Sequence, residues 1–145
     1  MKPTLSILLT LLLLTAGCAK PVEEQVTKTW PDGSRKEVHR TEEGLEGHEI
    51  QQFHANGKLH VRGRLVNGQR DGTWNTYREN GQPWSQVYYA AGVKQGLFRT
   101  WHANGMPHIE GQHEAGKRAG KWDFFDDTGQ LNETLDFADG EEAPN

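Results

Sequence analysis

Four histidines form two pairs of equal spacing, and metal binding is the chemistry that they could do. His54 and His60 lie on either side of one Asn-Gly dipeptide, and His102 and His108 lie on either side of another. A hairpin turn within each pair would bring the two imidazoles together, and imidazole is a common metal ligand. Two histidines without a cysteine do not complete a structural site. The four residues are therefore weak candidates for a metal site, and we expect no metal or other cofactor.

The sequence gives little support for catalysis. It contains no Gly-x-Ser-x-Gly, no phosphate-binding loop and no His-Glu-x-x-His motif. The acidic residues Asp123, Asp126 and Asp127 lack the spacing of a calcium loop and indicate a solvated strand end. A catalytic pair of carboxylates, as in glycosidases, stays possible, because the distance between two carboxylates depends on the fold. We expect the protein not to be an enzyme.

Aromatic residues recur along the chain and are the best candidates for a binding surface. Most of them are expected to pack the fold. Trp84 and Tyr88 differ, because the positions 24 residues away on either side are polar. These positions hold His60 and His108 for Trp84, and Arg64 and Gln112 for Tyr88. Tryptophan and tyrosine are enriched at binding hot spots. We therefore expect Trp84, Tyr88 and Trp101 to contact a partner.

Glycines at an interval of 24 residues indicate a repeat protein. One set is Gly33, Gly57, Gly81, Gly105 and Gly129, and the other is Gly44, Gly68, Gly92, Gly116 and Gly140. Four glycines of the first set follow Asn or Asp, which favours type I′ hairpin turns. The turns leave room for strands of about six to eight residues between them.

These spacings predict an all-β fold, an elongated antiparallel meander of about five stacked β-hairpins. The units of the repeat domain 24–143 are about 24–47, 48–71, 72–95, 96–119 and 120–143. Alternation along Val61, Gly63 and Leu65 predicts one apolar and one solvated face. Large residues also recur three apart, as in Trp74 and Tyr77, which requires either a bulge or side chains on opposite faces. The first unit is degenerate and the last is acidic, as is usual for the ends of a repeat array.

The N-terminal segment has the pattern of a secretory leader. Leu5–Leu14 is apolar but too short to span a bilayer, and Leu14-Thr15-Ala16-Gly17-Cys18 resembles the lipobox of bacterial lipoproteins. We expect a signal peptide at 1–17, a lipid on Cys18, a tether at 18–23 and a tail at 144–145, although ordinary cleavage near Ala19 is the alternative. With Ala19, the resemblance implies the periplasmic face of the outer membrane in a Gram-negative bacterium. The net charge of −4 argues against binding to nucleic acid.

The repeat resembles the MORN-repeat variant family. The residues that carry the resemblance are Gly72-Thr73-Trp74, Tyr77 and Asn80-Gly81, with matching sets in the next two units. The resemblance implies β-hairpins stacked into an elongated, curved sheet. Some bacterial members of the family are labelled YwqK-like antitoxins.

These observations lead to three functional hypotheses. The first is a membrane-anchored, non-enzymatic scaffold that binds a protein of the cell envelope. The second, by analogy with the antitoxin-labelled relatives, is an immunity protein that neutralises a toxin. The third is a protein that binds cell-wall carbohydrate by stacking sugar rings on its aromatic residues. The identity of the partner and the oligomeric state stay open.

Overall fold

The computed structural model describes residues 21–137, which form ten β-strands. The strands are β1 (Val22–Thr29), β2 (Arg35–Glu42), β3 (His48–Phe53), β4 (Leu59–Val66), β5 (Gln69–Tyr77), β6 (Pro83–Ala90), β7 (Val93–Trp101), β8 (Pro107–Glu114), β9 (Lys117–Phe125) and β10 (Leu131–Phe137). Within 21–137 no helix is long and apolar enough to cross a membrane. The expected leader, the lipidation site Cys18 and the tail lie outside the described residues.

The strands form a single antiparallel sheet in which each strand pairs with the next along the chain, from β1 to β10. The all-β prediction of a meander built from successive hairpins is thus confirmed. No second layer covers either face of the sheet among residues 21–137. Its stability must therefore come from side chains that stack on their neighbours across adjacent strands.

Turns of five residues join the two strands of each hairpin. In His54–Lys58, the Gly57 amide donates a hydrogen bond to the His54 carbonyl oxygen (2.9 Å), and the φ angle of Gly57 is +80°. Asn56 is not among the residues with positive φ, so the prediction of a type I′ turn at this dipeptide is wrong. The geometry is that of a type I turn followed by a left-handed glycine. Asparagine is suited to it because its Oδ1 accepts a hydrogen bond from the Lys58 amide (3.0 Å).

Type I′ turns occur instead at the opposite ends of the strands. Val66 pairs with Gln69, and the two residues between them, Asn67 and Gly68, both have positive φ (51° and 76°). The equivalent turns place Ala91 and Ala115 in the same left-handed region, with φ of 46° and 49°. Alanine resists this conformation because its β-carbon approaches the following carbonyl oxygen.

Replacing Ala91 or Ala115 by glycine is therefore expected to stabilise the fold. Glycine removes the strain of the left-handed conformation, but it also gives the unfolded chain more conformational freedom. The net result is a free energy of unfolding that is higher by about 0.5 to 1 kcal/mol for each substitution. Urea unfolding followed by far-ultraviolet circular dichroism measures this change. Gly68→Ala, which places a β-carbon at a positive φ of 76°, should shift the midpoint in the opposite direction. A lower unfolding midpoint for both alanine-to-glycine variants would contradict the conclusion that the two alanines are strained.

On the apolar face, two tryptophans each pack against a glycine of the preceding strand. Trp74 of β5 lies over Gly63 of β4, where a β-carbon would overlap the indole ring. The indole N–H of Trp74 donates to the carbonyl oxygen of Arg64 (3.2 Å). The arrangement recurs 48 residues later, where Trp122 of β9 lies over Gly111 of β8. Glycine in these strands is thus required for close packing.

Opposite faces, and not a bulge, explain the large residues three apart in β5, because no extra residue of β5 lies between Trp74 and Tyr77. Side chains alternate along β5, so Trp74 and Tyr77 belong to opposite faces. Bulges also interrupt the pairing of β5, one opposite Gly63 and one beside Trp84. The second bulge recurs at the equivalent place in the other hairpins, such as between Thr100 and Trp101.

Candidate binding surface

Arginine side chains cover the tryptophans of the apolar face. The guanidinium carbon of Arg70 lies 4.5 Å from the ring centroid of Trp74, and that of Arg118 lies 4.8 Å from the ring of Trp122. Such contacts combine cation–π attraction with burial of the arginine stem. Trp122 is only 1% exposed. These tryptophans therefore pack the sheet and offer little surface to a partner.

The opposite face carries an exposed apolar pair in the middle of the sheet. Tyr88 of β6 and Leu97 of β7 are each 42% exposed. Together with Thr73, Gln86 and Gly96 they line a shallow hollow of about 350 Å³. The hollow forms because Gly96, with a φ of +72°, has no side chain beneath the Tyr88 ring.

A second hollow adjoins the first and shares Leu97 with it. Its other walls are polar and come from Glu110 and Gln112 of β8 and from Lys121 and Asp123 of β9. The two hollows form a groove across the strands that is apolar at Tyr88 and charged toward β9. A surface of this kind suits a partner that presents one apolar group beside hydrogen-bonding groups.

Trp84 is half exposed (50%) and lies at the start of β6, just after the five-residue turn. The guanidinium of Arg78 lies 5.7 Å from its ring. The same two positions pair in other hairpins. These pairs are Trp30 with Lys36, His54 with His60, and His102 with His108. Trp84 therefore takes the place of a stacked histidine and exposes a larger apolar ring.

Trp101 differs from the other two candidate contacts because its side chain is half-buried at the end of β7. Its carbonyl oxygen accepts a hydrogen bond from Arg78 Nη2 (2.7 Å). Trp84 and Tyr88 are exposed on a single strand, and Trp101 lies at the end of the next. The role of all three in contacting a partner stays a prediction.

A ladder of side-chain hydrogen bonds links each hairpin to the next. The donor is the first residue of a five-residue turn, and the acceptor is a carbonyl oxygen 23 residues later. The pairs are Trp30 with Phe53 (3.3 Å), His54 with Tyr77 (2.9 Å), Arg78 with Trp101 (2.7 Å), and His102 with Phe125 (2.9 Å). Asp126 has this position in the last unit, and its Oδ1 instead accepts from the amides of Thr128 and Gln130. This ladder was not predicted from the sequence, although a side-chain hydrogen-bond donor recurs every 24 residues at the first position of the turn.

The ladder explains the paired histidines. The rings of His54 and His60 stack at 4.3 Å, and those of His102 and His108 at 4.2 Å. A carbonyl oxygen only accepts, so Nε2 of His54 and of His102 must carry a proton and cannot bind a metal at the same time. Within residues 21–137 there is no group of three or more His, Cys, Asp or Glu side chains that could hold a metal ion.

Folding disfavours the charged form of the second histidine in each stacked pair, His60 and His108. Burial, with a smaller contribution from His54, lowers the pKa of His60. Burial, with smaller contributions from His102 and Arg78, lowers the pKa of His108. A group whose pKa falls on folding binds its proton more readily in the unfolded chain. Both residues therefore make the fold less stable as the pH drops below their ordinary range.

The acidic stretch near the end of β9 is used in hydrogen bonds. Asp123 Oδ1 accepts from the Thr134 hydroxyl (2.6 Å), which joins β9 to β10. Asp126 Oδ1 accepts from the hydroxyl of Thr128 (2.6 Å) within the last turn. These contacts favour a structural role for the two carboxylates, as expected for an exposed strand end.

Comparison with protein families supports the resemblance in one hairpin. The family model of the MORN repeat variant matches residues 70–91. This segment contains nearly all of β5, its five-residue turn and β6. Comparison with the curated proteins gave no match. The β5–β6 hairpin, which carries Trp84 and Tyr88, is thus similar to a MORN repeat variant.

Proposed function

We propose that this protein is a non-enzymatic scaffold that binds another protein of the bacterial cell envelope. The observation that supports this proposal most is the exposure of Trp84 and Tyr88 at positions where the neighbouring hairpins carry polar side chains. Large exposed aromatic residues are favoured as binding hot spots. A sheet of stacked repeats offers a long, open surface for such contacts.

The N-terminal pattern suggests where the scaffold acts. Lipid chains on Cys18 would anchor the protein stably in a membrane, since two or more acyl chains suffice for this. The few residues between Cys18 and the start of β1 at Val22 would then keep the sheet close to that membrane. With Ala19 after the cysteine, we propose the periplasmic face of the outer membrane.

The groove gives the scaffold a simple mode of binding. Tyr88 offers a rigid ring, which loses little conformational entropy when a partner binds. An apolar side chain of the partner would fill the hollow between Tyr88 and Leu97. Gln86 and Thr73, which line the same hollow, would bond to polar groups beside that side chain. We expect most of the binding energy to come from the apolar contact.

Exchange of residues between hairpins tests this mode of binding. Trp84→His and Tyr88→Gln copy the residues found 24 positions later, His108 and Gln112, and should leave the fold intact. We expect the double variant to bind its partner about thirtyfold more weakly, as for the loss of a hot spot of about 2 kcal/mol. The measurement is capture of the partner by crosslinking in the native envelope, with a titration against the captured protein.

The control is Met106→Gln, which removes a side chain of similar exposure (46%) from a different turn. It copies Gln82 and Gln130 of the equivalent turns and should leave binding unchanged. Equal capture by the double variant and the wild type would contradict the proposed surface. A toxin among the captured proteins would instead favour the immunity function.

Carbohydrate binding is the second candidate, and the polar hollow is the observation that favours it. Glu110, Gln112 and Asp123 line this hollow together with the exposed Leu97, which also lines the neighbouring hollow at Tyr88. Carboxylates and amides next to an aromatic ring could bind a sugar through hydrogen bonds and stacking. Titration with peptidoglycan fragments, followed by the NMR spectrum of the backbone amides, distinguishes this function. An unchanged spectrum would exclude it for those fragments.

A further inference from the structure

We infer that Asn67 is a site of spontaneous deamidation, while the other three Asn-Gly dipeptides of the chain are protected by the fold. The four dipeptides begin at Asn56, Asn67, Asn80 and Asn104. Glycine has no side chain to hinder attack of its amide nitrogen on the preceding asparagine. The sequence therefore marks all four as susceptible, and the structure separates them.

Three of the dipeptides are held by two kinds of hydrogen bond. Each glycine amide donates to the carbonyl oxygen three residues before it, and each asparagine Oδ1 accepts from the amide two residues after it. The glycine bonds are Gly57 to His54 (2.9 Å), Gly81 to Arg78 (2.8 Å) and Gly105 to His102 (3.0 Å). The asparagine bonds join Asn56 to Lys58, Asn80 to Gln82 and Asn104 to Met106. Attack by the glycine nitrogen would require both bonds to break.

Asn67 lies in a different environment, the type I′ turn between β4 and β5. Both Asn67 and Gly68 are exposed. Within residues 21–137, neither the Asn67 side chain nor the Gly68 amide has a hydrogen-bond partner. The nitrogen and the side-chain carbonyl carbon are thus free to react.

The equivalent turns show what Gly68 lacks. The Gly92 amide donates to the Arg70 carbonyl oxygen (2.8 Å), 22 residues earlier in the chain. The Gly116 amide donates across the same interval to Lys94 (3.0 Å). The corresponding acceptor for Gly68 is the carbonyl oxygen of Glu46, which instead accepts from Arg64 Nη1 (2.9 Å). The irregular loop between β2 and β3 therefore leaves this one amide without its ladder bond.

The chemistry needs only water and hydroxide. Hydroxide removes the Gly68 amide proton, and the nitrogen attacks Cγ of Asn67. The new N–Cγ bond forms as the Cγ–Nδ2 bond breaks, and the departing nitrogen takes a proton from water, leaves as ammonia and regenerates the hydroxide. Water then opens the resulting succinimide at either carbonyl, which gives aspartate or isoaspartate. Each event adds one negative charge to the turn between β4 and β5, and isoaspartate also lengthens the turn backbone.

Peptide mapping by mass spectrometry tests the inference. The folded protein is incubated at mildly alkaline pH, and conversion is measured at all four sites, with separation of aspartate from isoaspartate. Asn67 is expected to convert at least about tenfold faster than the others, the factor that corresponds to one hydrogen bond. In urea the four rates should converge, because the protecting bonds are lost. Equal rates in the folded protein would overturn the inference.

Ala91→Asn provides the matched control. It creates a fifth Asn-Gly dipeptide in the same type of turn, but Gly92 keeps its hydrogen bond to Arg70. We expect this new asparagine to convert more slowly than Asn67 in the same molecule. Conversion as fast as that of Asn67 would show that the glycine hydrogen bond does not protect, and would contradict the inference. Asn67→Ala, which copies Ala91 and Ala115 of the equivalent turns, should abolish the fast phase.

Discussion

Gly111→Ala is expected to lower the free energy of unfolding by about 3 kcal/mol, a large effect for one methyl group. The added β-carbon would overlap the indole of Trp122, which is wedged between Phe98 and Phe137 and is almost fully buried. The ring would have to move and would lose the hydrogen bond from its N–H to the Gln112 carbonyl oxygen (3.1 Å). Denaturant unfolding followed by circular dichroism measures the loss.

The repeat supplies the control for this prediction. The equivalent contact between β6 and β7 has Val87 and Phe98 in place of glycine and tryptophan. Gly111→Val combined with Trp122→Phe should therefore be less damaging than the sum of the two single variants. We expect a favourable coupling of about 1 to 2 kcal/mol in a double-mutant cycle. If the losses of unfolding free energy in the two single variants are additive, positions 111 and 122 do not share one packing site.

His113→Tyr is expected to make the fold more resistant to acid. His113 is buried, and its ring lies 5.1 Å from that of Trp122. Burial, with smaller contributions from Lys94 and Arg118, lowers its pKa to about 4. The unfolded chain therefore binds the proton first, and the stability that is present above about pH 6.5 is lost as the pH falls toward 4. This single group should account for about 2 kcal/mol between about pH 7 and pH 5.

Tyrosine is the suitable replacement because Tyr89 occupies the equivalent place in the preceding hairpin. The measurement compares the unfolding free energies of both proteins at several pH values. His60 and His108 remain in both proteins, so the difference between the two pH profiles isolates His113. If the variant loses as much stability on acidification as the wild type, His113 is not the source of this pH dependence.

The fold was predictable because its period is visible in the sequence. Glycines every 24 residues located nine turns, and alternation along the strands separated the two faces. The type of turn was not predictable from the Asn-Gly dipeptides. The asparagine of the five-residue turns, such as Asn56, is selected for the hydrogen bond of its Oδ1, whereas the type I′ turns hold alanine at two of three places.

The candidate site was predictable only in part. Trp84 and Tyr88 could be chosen because they break the polar pattern of their repeat positions, and the structure exposes both side chains. Leu97 was missed, although the residues 24 positions away on either side, Thr73 and Lys121, are polar and gave the same signal as for Tyr88. It becomes accessible through the bulge at Gly96, which depends on the pairing of two strands. The histidine pairs suggested metal ligands, whereas their hydrogen bonds to carbonyl oxygens only emerge from the stacking of hairpins.

The most direct test of the binding account is site-specific photocrosslinking at position 88 in the native envelope. The reference is position 40 of β2, which has the same repeat position but lies four strands from β6, about 19 Å away, on the side opposite to the groove. We predict that a photoreactive residue at position 88 captures a discrete partner and that one at position 40 does not. Equal capture from both positions, or none from position 88, would contradict the claim that this surface binds the partner.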